Sequence, residues 1–85
     1  MAKYRVLIKP SAAKEVESTP KRDRSRIVER ILSLSDNPRP AGCEKLSGQD
    51  KYRIRQGGYR VLYAVDDQDL TVLVVKVGHR RDVYR

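Results

Sequence analysis

Residues 51–66 read KYRIRQGGYRVLYAVD, and the period of this stretch decides the architecture. Apolar side chains recur at every second position on both sides of Gly57-Gly58, which predicts two antiparallel strands joined by a two-residue hairpin. A loop of that length sets the pairing: Arg55 opposite Arg60, Ile54 opposite Val61, Arg53 opposite Leu62 and Tyr52 opposite Tyr63. Facing residues share one side of a sheet. Tyr52, Ile54, Val61 and Tyr63 therefore form an apolar side suited to a covering layer. Arg53, Arg55 and Arg60 gather on the other side, with Arg55 directly across from Arg60. Like charges in that relation destabilise a sheet by up to about 1 kcal/mol per pair.

Working outward, LTVLVVKV (residues 70–77) reads as a third strand, joined to the hairpin by the DDQD turn at residues 66–69. Its near-continuous apolar run is the pattern of a central strand covered on both sides. Upstream, Asp36-Asn37-Pro38-Arg39-Pro40-Ala41-Gly42 is turn chemistry throughout. Before it the period changes to 3.6. From about Lys21 to Leu34, Ile27, Val28, Ile31, Leu32 and Leu34 recur at helical spacing, with Arg22, Arg26 and Arg30 on the opposite, solvated side. A shorter helix, capped by Ser11 and carrying Ala12, Ala13 and Val16, ends near Pro20. YRVLI, residues 4–8, is a first strand that stops at Lys9-Pro10. The expected fold is α+β, in the order β-α-α-β-β-β: an antiparallel meander sheet with a helical hairpin packed on one face. There is no internal repeat or low-complexity segment.

At 85 residues there is room for one domain, spanning residues 1–85, with one sheet and one helical layer. Lys and Arg outnumber Asp and Glu by 19 to 11, and the net charge of +8 is spread along the chain, a footprint suited to a polyanion such as nucleic acid. The apolar runs are too short to span a bilayer or to form a signal peptide, so no membrane partner is expected. A lone cysteine, Cys43, has no internal disulfide partner, which fits the cytoplasm. It reads as a small loop side chain rather than a nucleophile.

The arginine cluster and the C-terminal segment carry the chemistry. Unless a neighbouring carboxylate neutralises Arg53, Arg55 and Arg60, the cluster suits an anion such as phosphate, which arginine grips through paired hydrogen bonds. The alternative is three solvated arginines that discourage edge-to-edge pairing. The closing residues, GHRRDVYR (78–85), add His79, Arg80, Arg81 and Tyr84. Together these groups point to phosphodiester cleavage on RNA by a neighbouring 2′-hydroxyl, which needs a base, cations for the charged phosphorane and an acid for the leaving oxygen. His79 has the pKa for proton transfer. Tyr84, its acidity raised by nearby arginines, is a second candidate base. No carboxylate cluster, HExxH, Cys/His set or Gly-rich phosphate loop is present, so no metal or nucleotide cofactor is expected.

The segment KLSGQDKYRIRQGGYRVLYAVDDQDLTVLVVKVGHRRDVYR, and above all GYRVLY followed by VGHRRDVY, resembles the RelE branch of the RelE/ParE toxin superfamily. The resemblance is specific from Lys45 to Tyr84 and one of pattern before that. It implies a RelE-like, microbial-RNase-like fold and a metal-independent, ribosome-dependent mRNA endonuclease of a type II toxin–antitoxin pair. Such a toxin cuts the codon in the ribosomal A site, leaving a 2′,3′-cyclic phosphate and a 5′-hydroxyl, and so stops translation and growth. It also implies the partners: a RelB-like antitoxin, mRNA, and the ribosome with its 16S rRNA. Carried over by position, Arg60 and Arg80 hold the scissile phosphate, Arg53 and Arg55 are the basic pair of the second strand, and Tyr84 positions or deprotonates the 2′-hydroxyl. Lys51 and Arg81 join Arg53, Arg55 and Arg60 as RNA-binding cations.

Two departures from the family pattern stand out. Relatives often have lysines where this chain has Arg53 and Arg55, and arginine stabilises charge without exchanging protons. That directs attention to His79 as an acid. The sequence also ends one residue after Tyr84, without the extra terminal helix of some relatives. Two rival functions share parts of the pattern. A ParE-like gyrase inhibitor shares the fold but has no need of the arginines and tyrosine, and a non-catalytic RNA- or ribosome-binding module needs the basic face alone.

Overall fold

In the computed structural model, which describes residues 3–46 and 50–79, the elements run β1 (Arg5–Ile8), α1 (Pro10–Glu17), α2 (Lys21–Ser33), β2 (Glu44–Lys45), β3 (Lys51–Gln56), β4 (Tyr59–Asp66) and β5 (Thr71–His79). All five strands form one sheet in the order β1-β5-β4-β3-β2. The helices carry the chain from the β1 edge across one face to the β2 edge. The meander then returns strand by strand to lie beside β1, which pairs in parallel with β5 while the other neighbours are antiparallel. The fold is thus the expected α+β arrangement, with one more strand: Glu44 and Lys45 pair with Arg53 and Tyr52.

The hairpin register is the expected one, with Arg55 opposite Arg60 and Tyr52 opposite Tyr63. Gly57, at the first turn position, takes φ +60°, the left-handed value that type II′ hairpins require there and glycine adopts without strain. At the next turn the Asp66 carboxylate accepts hydrogen bonds from the amides of Gln68 (2.9 Å) and Asp69 (3.0 Å), which closes the loop between β4 and β5.

Apolar residues of both layers meet on one face. Ala12 and Val16 of α1 and Ile27 and Ile31 of α2 pack with Leu34 on Tyr52, Ile54, Val61, Tyr63, Val65, Val72, Val74 and Val77. Truncating a fully buried member such as Ile27 to Ala costs about 2–5 kcal/mol. Three expectations need correction. Val28 and Leu32 do not join this core; they lie exposed, because α2 turns only Ile27 and Ile31 toward the sheet. Ser11 does not cap α1: Lys9 holds the cap position and Pro10 fills the first turn, where its fixed φ and missing N–H fit a helix start. β5 is central, but the described residues cover it on one face only, with Leu73 exposed on the other beside Leu7 of β1.

The apolar run in β5 has a local cause. A bulge leaves Val75 without a partner on β4, since Leu62 pairs with Lys76 and Tyr63 with Val74. The extra residue shifts the phase so that Val74 and Val77 both reach the core. Past the end of β1, α1 guards the β5 edge: Glu15 accepts from the Val77 amide (3.0 Å) and pairs with Lys76 (3.3 Å).

At the opposite end of the hairpin a polar network pins the 36–42 connection. The Arg39 guanidinium binds the Asp67 carboxylate through two hydrogen bonds (3.1 and 2.9 Å) and donates to the Tyr52 hydroxyl (2.9 Å), while Tyr4 donates to Asp67 (2.7 Å). The hydrogen bonds from Arg39 and Tyr4 hold the Asp67 carboxyl below its usual range, and accepting from Tyr4 makes Asp67 raise the phenol's pKa. Tyr63 is fully buried and donates to the Pro38 carbonyl (2.7 Å); burial pushes its pKa well above that of a free tyrosine.

Candidate functional site

Alternation along β3 and β4 turns Lys51, Arg53, Arg55 and Arg60 away from the helices, onto the opposite face of the sheet. Arg55 and Arg60 border a small cleft with Gly57, Gly58 and Tyr59. Across from Arg60 on the β5 side stands Gly78, which itself contributes no side chain.

A carboxylate neighbours the arginine cluster. Glu44, opposite Arg53 in the ladder between β2 and β3, forms an ion pair with Arg53 through Oε2. Its second oxygen, Oε1, lies 3.8 Å from Arg55 Nη2. One carboxylate thus spans two of the three clustered arginines, and the charge crowding is partly relieved within the protein. The Arg53 side chain is 15% exposed and the Arg55 side chain 60%, so Arg53 is a sheltered anchor and Arg55 an open one.

His79 ends β5, paired with Tyr59, and the pleat sends both toward the helical side, away from the arginines. Its ring meets Tyr59 edge-on, with centroids 5.7 Å apart. It also borders a cleft with Glu15, Ser18 and Thr19 of the α1 end. The structure therefore brings Lys51, Arg53, Arg55 and Arg60 together and sets His79 apart from them. Arg80, Arg81 and Tyr84 lie outside the described residues. Among the described residues, no three His, Cys, Asp or Glu side chains converge so as to hold a metal ion.

A sheet of this topology, with helices on one face, has known counterparts. The family model described as "ParE toxin of type II toxin-antitoxin system, parDE" matches residues 5–84. Toxin RelG of Mycobacterium tuberculosis is 34% identical over 86 residues, which cover 96% of this chain and 97% of that protein. Among solved structures, the chain resembles one in the RelBE2 toxin–antitoxin complex of M. tuberculosis, with a TM-score of 0.82, 30% identity, and coverage of 96% of this chain and 97% of that one. It also resembles one in the archaeal RelE–RelB complex of Pyrococcus horikoshii OT3, with a TM-score of 0.81, 31% identity, and coverage of 95% and 99%. The chain belongs to this family: it is a toxin of a type II toxin–antitoxin system, of the RelE kind.

Proposed function

We propose that this toxin is a metal-independent endoribonuclease that enters the ribosomal A site and cuts the mRNA there. The observation that carries the reading is the sheet face opposite the helices, on which Arg55 directly opposes Arg60, a pairing of like charges suited to a bound phosphate. The ribose 2′-oxygen attacks the adjacent phosphorus. Its proton passes to Tyr84, which acts as a phenolate stabilised by the neighbouring arginines, the bond from phosphorus to the 5′-oxygen breaks, and a 2′,3′-cyclic phosphate and a 5′-hydroxyl result. Arg60 and Arg80 hold the phosphate, and Arg53 and Arg55 stabilise the charge that builds on it. Arginines do not exchange protons at neutral pH, and His79 faces the helical side. The 5′-oxygen accordingly takes its proton from solvent. Lys51 and Arg81 bind the flanking backbone, and the partner in the resting cell is an antitoxin that covers this face; both partners place the toxin in the cytoplasm.

The family model's ParE description keeps gyrase inhibition as the rival reading. Induction in growing cells separates the two. Cleaved transcripts with intact chromosomal DNA support the nuclease, and DNA breaks with intact mRNA overturn it in favour of gyrase inhibition.

A further inference from the structure

We propose that Glu44 is an internal stand-in for the substrate phosphate: in the free toxin its carboxylate occupies the place between Arg53 and Arg55 that a phosphodiester takes in the complex, and RNA binds by displacing it. The inference rests on the reading of the arginine face as a phosphodiester site. A phosphodiester offers guanidinium groups two terminal oxygens that share one negative charge, and so does a carboxylate. Glu44 uses both oxygens, Oε2 on Arg53 and Oε1 toward Arg55 at 3.8 Å. That division matches the pose of an anion bridging two cations rather than a carboxylate paired with one.

The surroundings favour exchange over permanent pairing. β2 is two residues long and lies at the sheet edge, so little backbone pairing holds Glu44 in place. The Glu44 side chain is 51% exposed and its Arg55 partner 60%. Exposed ion pairs contribute little and yield to a competing anion. The sheltered Arg53 keeps its place when the carboxylate swings out, so the site is preformed for the incoming phosphate. The consequence is a threshold. A toxin of charge +8 attracts polyanions in general, and a built-in carboxylate discounts every weak encounter while RNA held at high local concentration still displaces it.

A carboxylate whose task is to hold Arg53 in position predicts the opposite response, because its loss then loosens the site. The test is fluorescence anisotropy of a short labelled 2′-O-methyl RNA, which cannot undergo 2′ attack, titrated with purified toxin at several salt concentrations. The variants are Glu44→Gln and, as a charge-matched control on the helical layer, Glu29→Gln. Release from competition makes Glu44→Gln bind roughly two- to fivefold tighter than Glu29→Gln. The variant also steepens the slope of log affinity against log salt by up to about one unit, because solution anions replace the tethered carboxylate on the arginines. On an Arg53→Gln background the advantage of Glu44→Gln disappears. Matching thermal melts confirm that the variants are folded. If Glu44→Gln binds no tighter than Glu29→Gln while Arg60→Gln loses RNA, the displaced-carboxylate inference fails and the phosphodiester site stands. If Arg60→Gln binds RNA as well as the native protein, the phosphodiester reading itself fails.

Discussion

Replacing Arg55 by Gln should make the protein more stable and remove the proposed cleavage activity. Arg60 faces Arg55 across the ladder, and like charges in that position cost up to about 1 kcal/mol. Glu44 offsets little of this, since it approaches Arg55 only to 3.8 Å and both side chains are more than half exposed. A glutamine keeps much of the stem and removes the charge, so the expected gain is about 0.3–0.8 kcal/mol at low salt. In a chain of this size that raises Tm by roughly 1–6 °C. The gain should shrink as salt rises toward about 1 M, where the screening length falls to about 3 Å. Cleavage should fall by about 10²–10³-fold, the usual loss when one stabilising donor leaves a charged transition state. Thermal melts at low and high salt, paired with ribosome-dependent cleavage assays, measure both effects. A variant that is less stable than the native protein at every salt concentration would refute the repulsion argument, and one that cleaves at the native rate would refute the role of Arg55.

The buried Tyr63 phenol predicts alkaline sensitivity. Its pKa in the fold lies above the unfolded value near 10, so its contribution is intact below about pH 10 and falls above it by up to about 1.4 kcal/mol per pH unit. Urea melts of Tyr63→Phe should lose stability less steeply over that range, while at pH 7 the variant is weaker by about 1–3 kcal/mol because the Pro38 carbonyl loses its donor. Asp67 works in the other direction: its depressed pKa makes its contribution present above the unfolded value near 4 and lost as pH falls through the folded one. Acid titration of Asp67→Asn should therefore show a flatter decline below pH 4, and an unchanged decline would remove Arg39–Asp67 from the account. His79→Gln should cleave at nearly the native rate, far from the loss of about 10²-fold or more that follows removal of a general acid. A loss of that size would bring His79 into the chemistry.

The hairpin was legible because a Gly-Gly turn sets register locally, and register assigns every following side chain to a face. Tyr52, Ile54, Val61 and Tyr63 went to the core and the arginines to the opposite side on that ground alone. Helical spacing was less decisive. Five apolar residues on α2 and just after it cover a wider arc than one sheet can contact, and only the sheet's position separates Ile27, Ile31 and Leu34 from Val28 and Leu32. The run in β5 suggested cover on both faces because the bulge at Val75, invisible to a strict period of two, places Val74 and Val77 on one side. The parallel pairing of β1 is a long-range contact that four residues cannot specify by themselves.

Glu44 was hidden for a similar reason. A two-residue strand has no period to detect, and only its pairing with Arg53 brings the carboxylate into the arginine cluster. His79 sits next in sequence to Arg80, yet the pleat turns it to the other side of the sheet from Arg60. Sequence proximity and charge placed it in the site, and the strand period separates them. For Arg80, Arg81 and Tyr84, outside the described residues, the assigned roles rest on the likeness of VGHRRDVY to its family.

The most direct test of the central claim uses ribosomes programmed in vitro with a defined mRNA, purified toxin, and primer extension to map cuts. Two messages are compared, one all-ribose and one with a single 2′-deoxy nucleotide immediately 5′ of the scissile phosphate in the A site. The account predicts a cut at that phosphate in the first message, none in the second, and none in either with Tyr84→Phe. Cleavage of the deoxy message, or an uncut all-ribose message on toxin-bound ribosomes, would contradict it.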